Sequence, residues 1–273
     1  MTKAMTEKIN APLVSLMISV YNRDDFLRLV LASIEKQSCQ DFELIVAEDG
    51  QHDSIAREVE EHSLQSKLSI KHLSQEDKGF RKNKILNQAV CASRGKILLF
   101  IDGDCILHKD YIATMLRHVK KGICVFGRRV MLDQQLSKQL LSVGKVGKLS
   151  VLRILFSNSR HKEEAVRFPL LRSGKTRGLR GHSFCLTKAD MLAINGFDED
   201  FNEPYFGEDT DVERRLKLAG VKLKCSRFAA LQYHLYHNAG SRKVSWDISE
   251  KIFRQKAMIA DPVCVNGLDK YLP

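Results

Sequence analysis

KILLFIDGD, residues Lys96–Asp104, is a continuous apolar run that ends in two aspartates one residue apart. A run without polar alternation fits a strand covered on both faces. On an extended segment, residues i and i+2 point the same way, so the Asp102 and Asp104 carboxylates are expected to face one ligand. Hard oxygens at a strand end suit Mg²⁺ or Mn²⁺ bridging a diphosphate. Gly103 between them lets the backbone approach a bulky ligand. The tripeptide alone is as often an ordinary turn, so its weight depends on its surroundings.

Those surroundings repeat the pattern. Upstream lie PLVSLMISV (Pro12–Val20) and FELIVAED (Phe42–Asp49), also continuous apolar runs, and a weaker candidate, KLSIKHL (Lys67–Leu73). Helical spacing falls between them. Phe26, Leu29, Val30 and Ile34 recur at helical intervals behind Asp24 and Asp25, either of which can cap. Ser54–Leu64 and Arg81–Ala92 are the next two helices. Strand alternating with helix predicts an α/β fold with a mostly parallel sheet and right-handed crossovers. Ligands of such sheets sit beyond the carboxyl ends of the strands. Here three of those ends are polar: Tyr21-Asn22, Glu48-Asp49-Gly50 and Asp102-Gly103-Asp104.

Downstream, Asp110–Val119 reads as a helix and Gly122–Val130 as one strand. Gln134–Phe156 mixes leucine and valine with basic residues and reads as one broken amphipathic helix or two short ones. It is equally suited to lying on a membrane surface and to packing on the domain. A short strand after Gly181, a helix from about Lys188 to Ile194 capped by Thr187, and a helix over GEDTDVERRLKLAG follow. Val221–Tyr233 supplies one or two edge strands, and Trp246–Ile259 a final helix.

The chain has 273 residues, 44% of them hydrophobic and 28% charged, which excludes a largely disordered protein. No apolar run approaches the roughly 18–20 residues of a membrane-spanning helix, and the polar start MTKAMTEKIN shows no cleavable signal peptide. Seven cysteines, odd in number and without a CxxC pair, favour free thiols and a reducing cytoplasm. The net charge of +11 is concentrated. Arg117–Arg180 holds 16 Lys/Arg and three acids, or +13. A localised basic block implies a localised anionic partner: lipid headgroups, nucleic acid or a phosphorylated substrate. Few aromatics interleave its cations, which disfavours single-stranded nucleic acid.

Three further constellations carry chemistry. Gly207-Glu208-Asp209-Thr210-Asp211 places three carboxylates in four residues, more than a helix cap requires. One of them, Asp209 or Glu208, can serve as a base while the others bind hydroxyls. His234-Leu235-Tyr236-His237 offers nitrogen ligands to a metal soon after a strand. Lys78–Lys84, KGFRKNK, brings four cations and an amide to a helix start, where phosphate is favoured. There is neither a Walker loop nor a GxGxxG.

Taken together, VSLMISVYNR, FELIVAEDG, DKGFRKNKILNQAVCASRGKILLFIDGDCI, RGHSFCLTKADMLAINGFDEDF, FGEDTDVERRLKLAG and YHLYH resemble a family 2 glycosyltransferase of the GT-A fold. More narrowly, they resemble the branch with a galactosyltransferase-like C-terminal half, seen in bacterial chondroitin-polymerase-type and animal β-1,4-galactosyltransferase enzymes. The resemblance covers about Pro12–Asp110 and Gly181–His237. It implies inverting transfer of a hexose or N-acetylhexosamine from a nucleotide sugar, UDP-linked by preference, to a glycan or lipid-linked acceptor in cell-surface polysaccharide synthesis. Ser19, Tyr21, Arg23, Glu48 and Asp49 are then expected at the nucleoside, and Lys82 and Asn83 near the nucleotide. Asp102 falls on ribose or sugar, and Asp104 with His237 and His234 on Mn²⁺ or Mg²⁺. Asp209 takes the place of the catalytic base and Glu208 that of its acceptor-binding neighbour, with Asp211, Tyr205 and Phe206 also on the acceptor side. Glu203-Pro204-Tyr205-Phe206 stand where the family often has a Trp-Gly-rich run.

The expected organisation is one GT-A domain: a flexible N-terminus (1–11), a nucleotide-sugar-binding half (12–116), a basic amphipathic insertion (117–180), an acceptor and catalytic half (181–240), and a C-terminal helix and tail (241–273). The basic block is expected to meet an anionic membrane surface rather than nucleic acid, making the protein cytoplasmic and peripheral on the inner membrane face. A nucleotidyltransferase, which needs an N-terminal Gly-rich loop absent here, and a nonenzymatic membrane or nucleic-acid adaptor are the competing readings.

Overall fold

In the computed structural model, residues 11–144, 146, 149–168, 178–204, 206–238 and 243–272 are described. The first strand, β1 (Val14–Val20), runs parallel to β2 (Phe42–Glu48) on one side and to β4 (Ile97–Asp102) on the other, with β3 (Ile70–Ser74) outside β2. The helices α1 (Asp24–Ile34), α2 (Asp53–Gln65) and α3 (Lys82–Ala92) make the crossovers. Each apolar run buries both faces by alternation. Along β1, Val14, Leu16 and Ile18 pack with Leu27 and Val30 of α1, while Met17 packs with Ile85 and Ala89 of α3. Fully burying each such side chain contributes about 1.5–3 kcal/mol.

The sheet continues past β4 through β8 (Ser183–Thr187), which is antiparallel, to β6 (Ile123–Phe126) and β9 (Lys222–Cys225). Helices α7 (Lys188–Ala193) and α8 (Glu208–Leu218) cover this half on the α3 face, while α4 (Tyr111–Leu116) packs on the α1 face. Thr187 caps α7 by accepting from the Asp190 amide at 3.2 Å, as the sequence led us to expect. A second sheet has the order β5 (Cys105–Leu107), β10 (Leu231–His234), β7 (Arg128–Met131). Its apolar face packs on α5 (Gln134–Val143) and α6 (Val151–Leu155) through Leu136, Leu140 and Ile154. The last helix, α9 (Lys243–Ala257), lies against α8.

Three expectations change. Gly122–Val130 is two strands in two sheets, and at Gly127, between them, the chain passes so close to Ser183 that a Cβ there would strike its hydroxyl. Within the basic segment, β6 lies between β8 and β9, and β7 completes the small sheet. Leu231–His234 is not an edge but the middle strand of that sheet. The helix behind Asp24 and Asp25 has no carboxylate cap; Arg23 stands at its N-cap and pairs with Asp25 at 2.8 Å. The expected flexible N-terminus falls almost wholly outside the described residues.

Candidate active site

β4 ends at Asp102, and Gly103-Asp104 turn into β5. The two carboxylates consequently part company instead of sharing one extended face. Asp102 Oδ1 accepts from Lys82 Nζ at 2.8 Å and from the Ser19 hydroxyl at 3.1 Å. Asp104 Oδ2 lies 3.0 Å from His234 Nε2 and 3.3 Å from His237 Nε2. What joins them is Arg129, whose guanidinium stands 3.4 Å from Asp102 Oδ2 and 3.9 Å from Asp104 Oδ1. A string of alternating charge thus runs from Lys82 to His237.

The second sheet builds this string. Residue His234 pairs with Cys105 across β10 and β5, and the Leu235 amide donates to the Asp104 carbonyl at 2.9 Å. Gln232 pairs with Arg129 across β10 and β7. Alternation sends Leu231 and Tyr233 into the apolar cluster and leaves His234 for the opposite face. Burial alone would raise the Asp104 carboxyl, but the hydrogen bonds from His234 and His237 hold it well below the usual carboxylate range. The ligand atoms of Asp104, His234 and His237 lie within 4.8 Å of one another. One carboxylate and two imidazoles so gathered fit a divalent first-row cation.

Glu208 and Asp209 open α8, where the helix dipole favours negative charge. Their side chains and the Lys82 ammonium converge on Gly181: a Cβ there would stand 3.7 Å from Glu208 Oε1 and from the Asp209 Cβ, and 3.8 Å from Lys82 Nζ. The Gly181 amide donates to Asp209 Oδ2 at 3.2 Å. Burial first, and then the Asp209 charge, push the Glu208 carboxyl up to about 7. Lys82 is raised above the ordinary lysine value; the pull of Asp102, Glu208 and Asp209 overcomes the penalty of its burial, so it stays charged.

Other expected site residues are placed differently. Tyr21 is exposed at the β1 end and donates to Asp77 at 3.1 Å. Arg23 lies over the Phe26 ring, 3.3 Å from its centroid, and Phe26 in turn neighbours His237. Asp49 is buried and ties down the loop before α3, accepting from Gln75 and from the Arg81 amide at 2.7 Å each. Glu48 is fully buried and is engaged by the His52 amide and ring and by His72. Asn83 is buried at the helix start, where its side-chain amide donates to the Asp198 carbonyl at 2.8 Å. Asp211 is 0% exposed and clamped by Arg215 at 2.6 Å and Arg214 at 3.1 Å. It therefore supports α8 and cannot touch an acceptor. Tyr205 lies outside the described residues. Phe206 stacks on Trp246 of α9 with centroids 4.5 Å apart, and Phe253 meets it edge-on at 5.8 Å.

Two of these residues escaped sequence reasoning. Arg129 was one cation among many in the basic block, and only strand pairing places it between the aspartates. Trp246 is the single tryptophan of the chain, and that rarity was the one available signal.

The fold is that of the GT-A glycosyltransferases, which solved structures similar in architecture share. The chain belongs to glycosyl transferase family 2, which it matches over residues 15–155, just over half its length; residues 171–238 match the N-terminal domain of galactosyltransferase. Among curated proteins, it is 29% identical to the validoxylamine A glucosyltransferase of Streptomyces hygroscopicus subsp. limoneus over 80% of this chain and 51% of that protein. It is 23% identical to the chondroitin synthase of Escherichia coli over 89% of this chain and 38% of that protein. The chain thus spans about half or less of these relatives. Similar folds are found in the mannosyltransferase PcManGT of Pyrobaculum calidifontis, in complex with GDP-Man and Mn²⁺ (TM-score 0.58, 16% identity, 92% of this chain and 63% of that one). GalNAc-T7 with UDP, GalNAc and Mn²⁺ is another (TM-score 0.60, 13% identity, 85% of this chain and 44% of that one).

Proposed function

We propose that the chain is an inverting, metal-dependent glycosyltransferase that moves a hexose or N-acetylhexosamine from a nucleotide sugar, UDP-linked, to a glycan or lipid-linked acceptor in cell-surface polysaccharide synthesis. The observation that carries this reading is the convergence of Lys82, Glu208 and Asp209 on Gly181, with Asp102, Arg129 and the Asp104–His234–His237 cluster strung from the same lysine. Its support from relatives is their named activities and the sugar nucleotides bound in similar folds.

Asp104, His234 and His237 would hold Mn²⁺ or Mg²⁺, which supplies Lewis-acid charge to a departing diphosphate. Lys82 and Arg129 add cationic groups already oriented by their aspartates, so little reorganisation is required as charge develops. Ser19 and Asp102 line the approach from β1 and β4, and Tyr21 is exposed at the end of β1. Asp209 takes the proton of the acceptor hydroxyl while that oxygen bonds to the far face of the anomeric carbon. The bond from that carbon to the diphosphate breaks, and the leaving group departs with its electron pair. Glu208 hydrogen-bonds acceptor hydroxyls, and Phe206 backed by Trp246 offers an apolar wall to the acceptor ring.

The test is a thermal-shift panel of UDP- and GDP-sugars, each with Mn²⁺ and with EDTA. At about 100 times Kd, a donor stabilises the folded state by about 2.7 kcal/mol. A rise in Tm with one UDP-sugar that disappears in EDTA is expected. Equal shifts in EDTA would remove the metal from the reading, and no shift with any nucleotide would remove the donor site.

A further inference from the structure

We propose that a cleft beside the start of α3 is a second sugar-binding site, which takes a hexose unit bearing an anionic group, carboxylate or phosphate, as part of the acceptor. The cleft lies between α3 and the loop of residues 199–202, holds about 390 Å³ and opens to solvent. That volume is in the range of small-molecule sites.

Its charge is positive. Arg81 and Lys84 both line it. The Arg81 guanidinium donates to the Glu76 carbonyl, and its Nε is buried without a hydrogen-bond partner. The Lys84 ammonium makes no hydrogen bond or ion pair with any described residue. Glu199, the carboxylate of the cleft, is already engaged: Oε1 accepts from Asn87 at 2.9 Å, and Oε2 from Lys270 at 2.7 Å and Tyr271 at 3.1 Å. No side chain caps α3 and no acid stands in its first turn, so the helix dipole adds to the same field. An anionic group is the complement of these donors.

The remaining lining groups suit hydroxyls. Asn83 is 1% exposed. Its Nδ2 donates to the Asp198 carbonyl, which fixes the orientation of the amide and leaves Oδ1 buried without a partner. Such an acceptor calls for a donor, and a sugar hydroxyl both donates and accepts. The Asn202 side chain is exposed and makes no hydrogen bond among the described residues. Phe201 supplies an apolar wall.

The cleft adjoins the reactive acids. Phe201 packs on Gly207, where a Cβ would stand 2.5 Å from its ring, and Gly207 precedes Glu208. Asn83 follows Lys82, the cation that faces Asp102 and the Gly181 corner. A glycan anchored by one acidic unit is thereby kept beside Glu208 and Asp209, which raises its local concentration at the base. The inference rests on the proposed function for that purpose alone.

NMR titration of the full chain, without nucleotide, tests it with glucuronate, glucose 6-phosphate and neutral glucose as probes. At least one acidic sugar is expected to bind about tenfold or more tightly than glucose, and less tightly at high salt. Binding of glucuronate alone assigns a carboxylate-bearing unit, and of glucose 6-phosphate alone a phosphorylated one. Lys84→Ala should weaken the acidic probe about tenfold and abolish the preference over glucose, while Asn202→Ala should weaken both classes of sugar. Both variants should keep the donor-induced thermal shift. Equal affinity for glucose and the acidic sugars, parent-like affinity in Lys84→Ala, displacement of the probes by UDP, or no binding at all would each overturn the proposal. Acidic-sugar binding in a protein that shows no donor shift would uphold the cleft and remove the donor reading instead.

Discussion

Asp209 and Glu208 are adjacent in sequence but do different work because their surroundings differ. The Gly181 amide and the Thr210 hydroxyl each donate to an oxygen of Asp209, at 3.2 Å, which orients the carboxylate. Glu208, pushed up to about 7, keeps its proton in mildly acidic solution. Asp209→Asn should lower kcat on the order of 10²–10⁴-fold across all pH values while donor binding persists. Glu208→Gln should instead remove the bend in kcat/KM near pH 7 that its ionisation produces. The same variant has a stability signature. A carboxyl raised above its unfolded value of about 4.3 holds extra protons in the folded state, so the parent loses stability as pH rises from about 4 to 7. Glu208→Gln lacks that loss, and its Tm relative to the parent should be higher at pH 8 than at pH 4. An identical pH slope in both proteins would show that Glu208 is not so perturbed.

At the level of elements, α8 joins the site to the core through a buried ion pair. Val212 and Leu216 of α8 are buried, but so are Asp211 and Arg215 beside them. The Arg215 guanidinium reaches across to the Ile194 and Gly196 carbonyls at 2.6 and 2.9 Å, which fixes α8 to the end of α7. Asp211→Ala leaves that guanidinium buried without its carboxylate, at a cost of about 3–5 kcal/mol. Tm should fall by roughly 10 °C. An unchanged Tm with a raised KM for acceptor would return Asp211 to the acceptor side. β10 has a comparable organising role: as the middle strand of the small sheet it holds both the Asp104 turn and Arg129 in register.

For the whole molecule, the decisive fact is that the two halves of the chain share one sheet. β4 of the first half pairs with β8 of the second over Ile97–Ile101, and Phe100 stacks on Phe184 with centroids 4.5 Å apart. A fragment ending at residue 116 would expose that edge together with Phe100 and Leu98. It should show no cooperative thermal transition by circular dichroism, whereas the full chain shows one. Cooperative melting of the fragment would mean that the donor half is an independent domain.

The N-terminal strands and helices were legible because burial on both faces and helical periodicity are local signals. The Asp102-Gly103-Asp104 turn and the acids of α8 were legible too, since each sits at an element end that the apolar pattern marks. Side-chain partners were not. Glu48, Asn83 and Asp211 have the residue types of a site, yet each is buried against groups far away or on the far side of its own helix. Sequence alone determined which elements form and where their polar ends fall, because those depend on neighbours within a few residues. Only the tertiary structure decided that Arg129 stands between Asp102 and Asp104, that Trp246 backs Phe206, and that Leu152 and Phe156 are left outside. Those outcomes depend on strand order and on which faces remain after the sheets have closed, and such long-range pairing is not encoded at any single position.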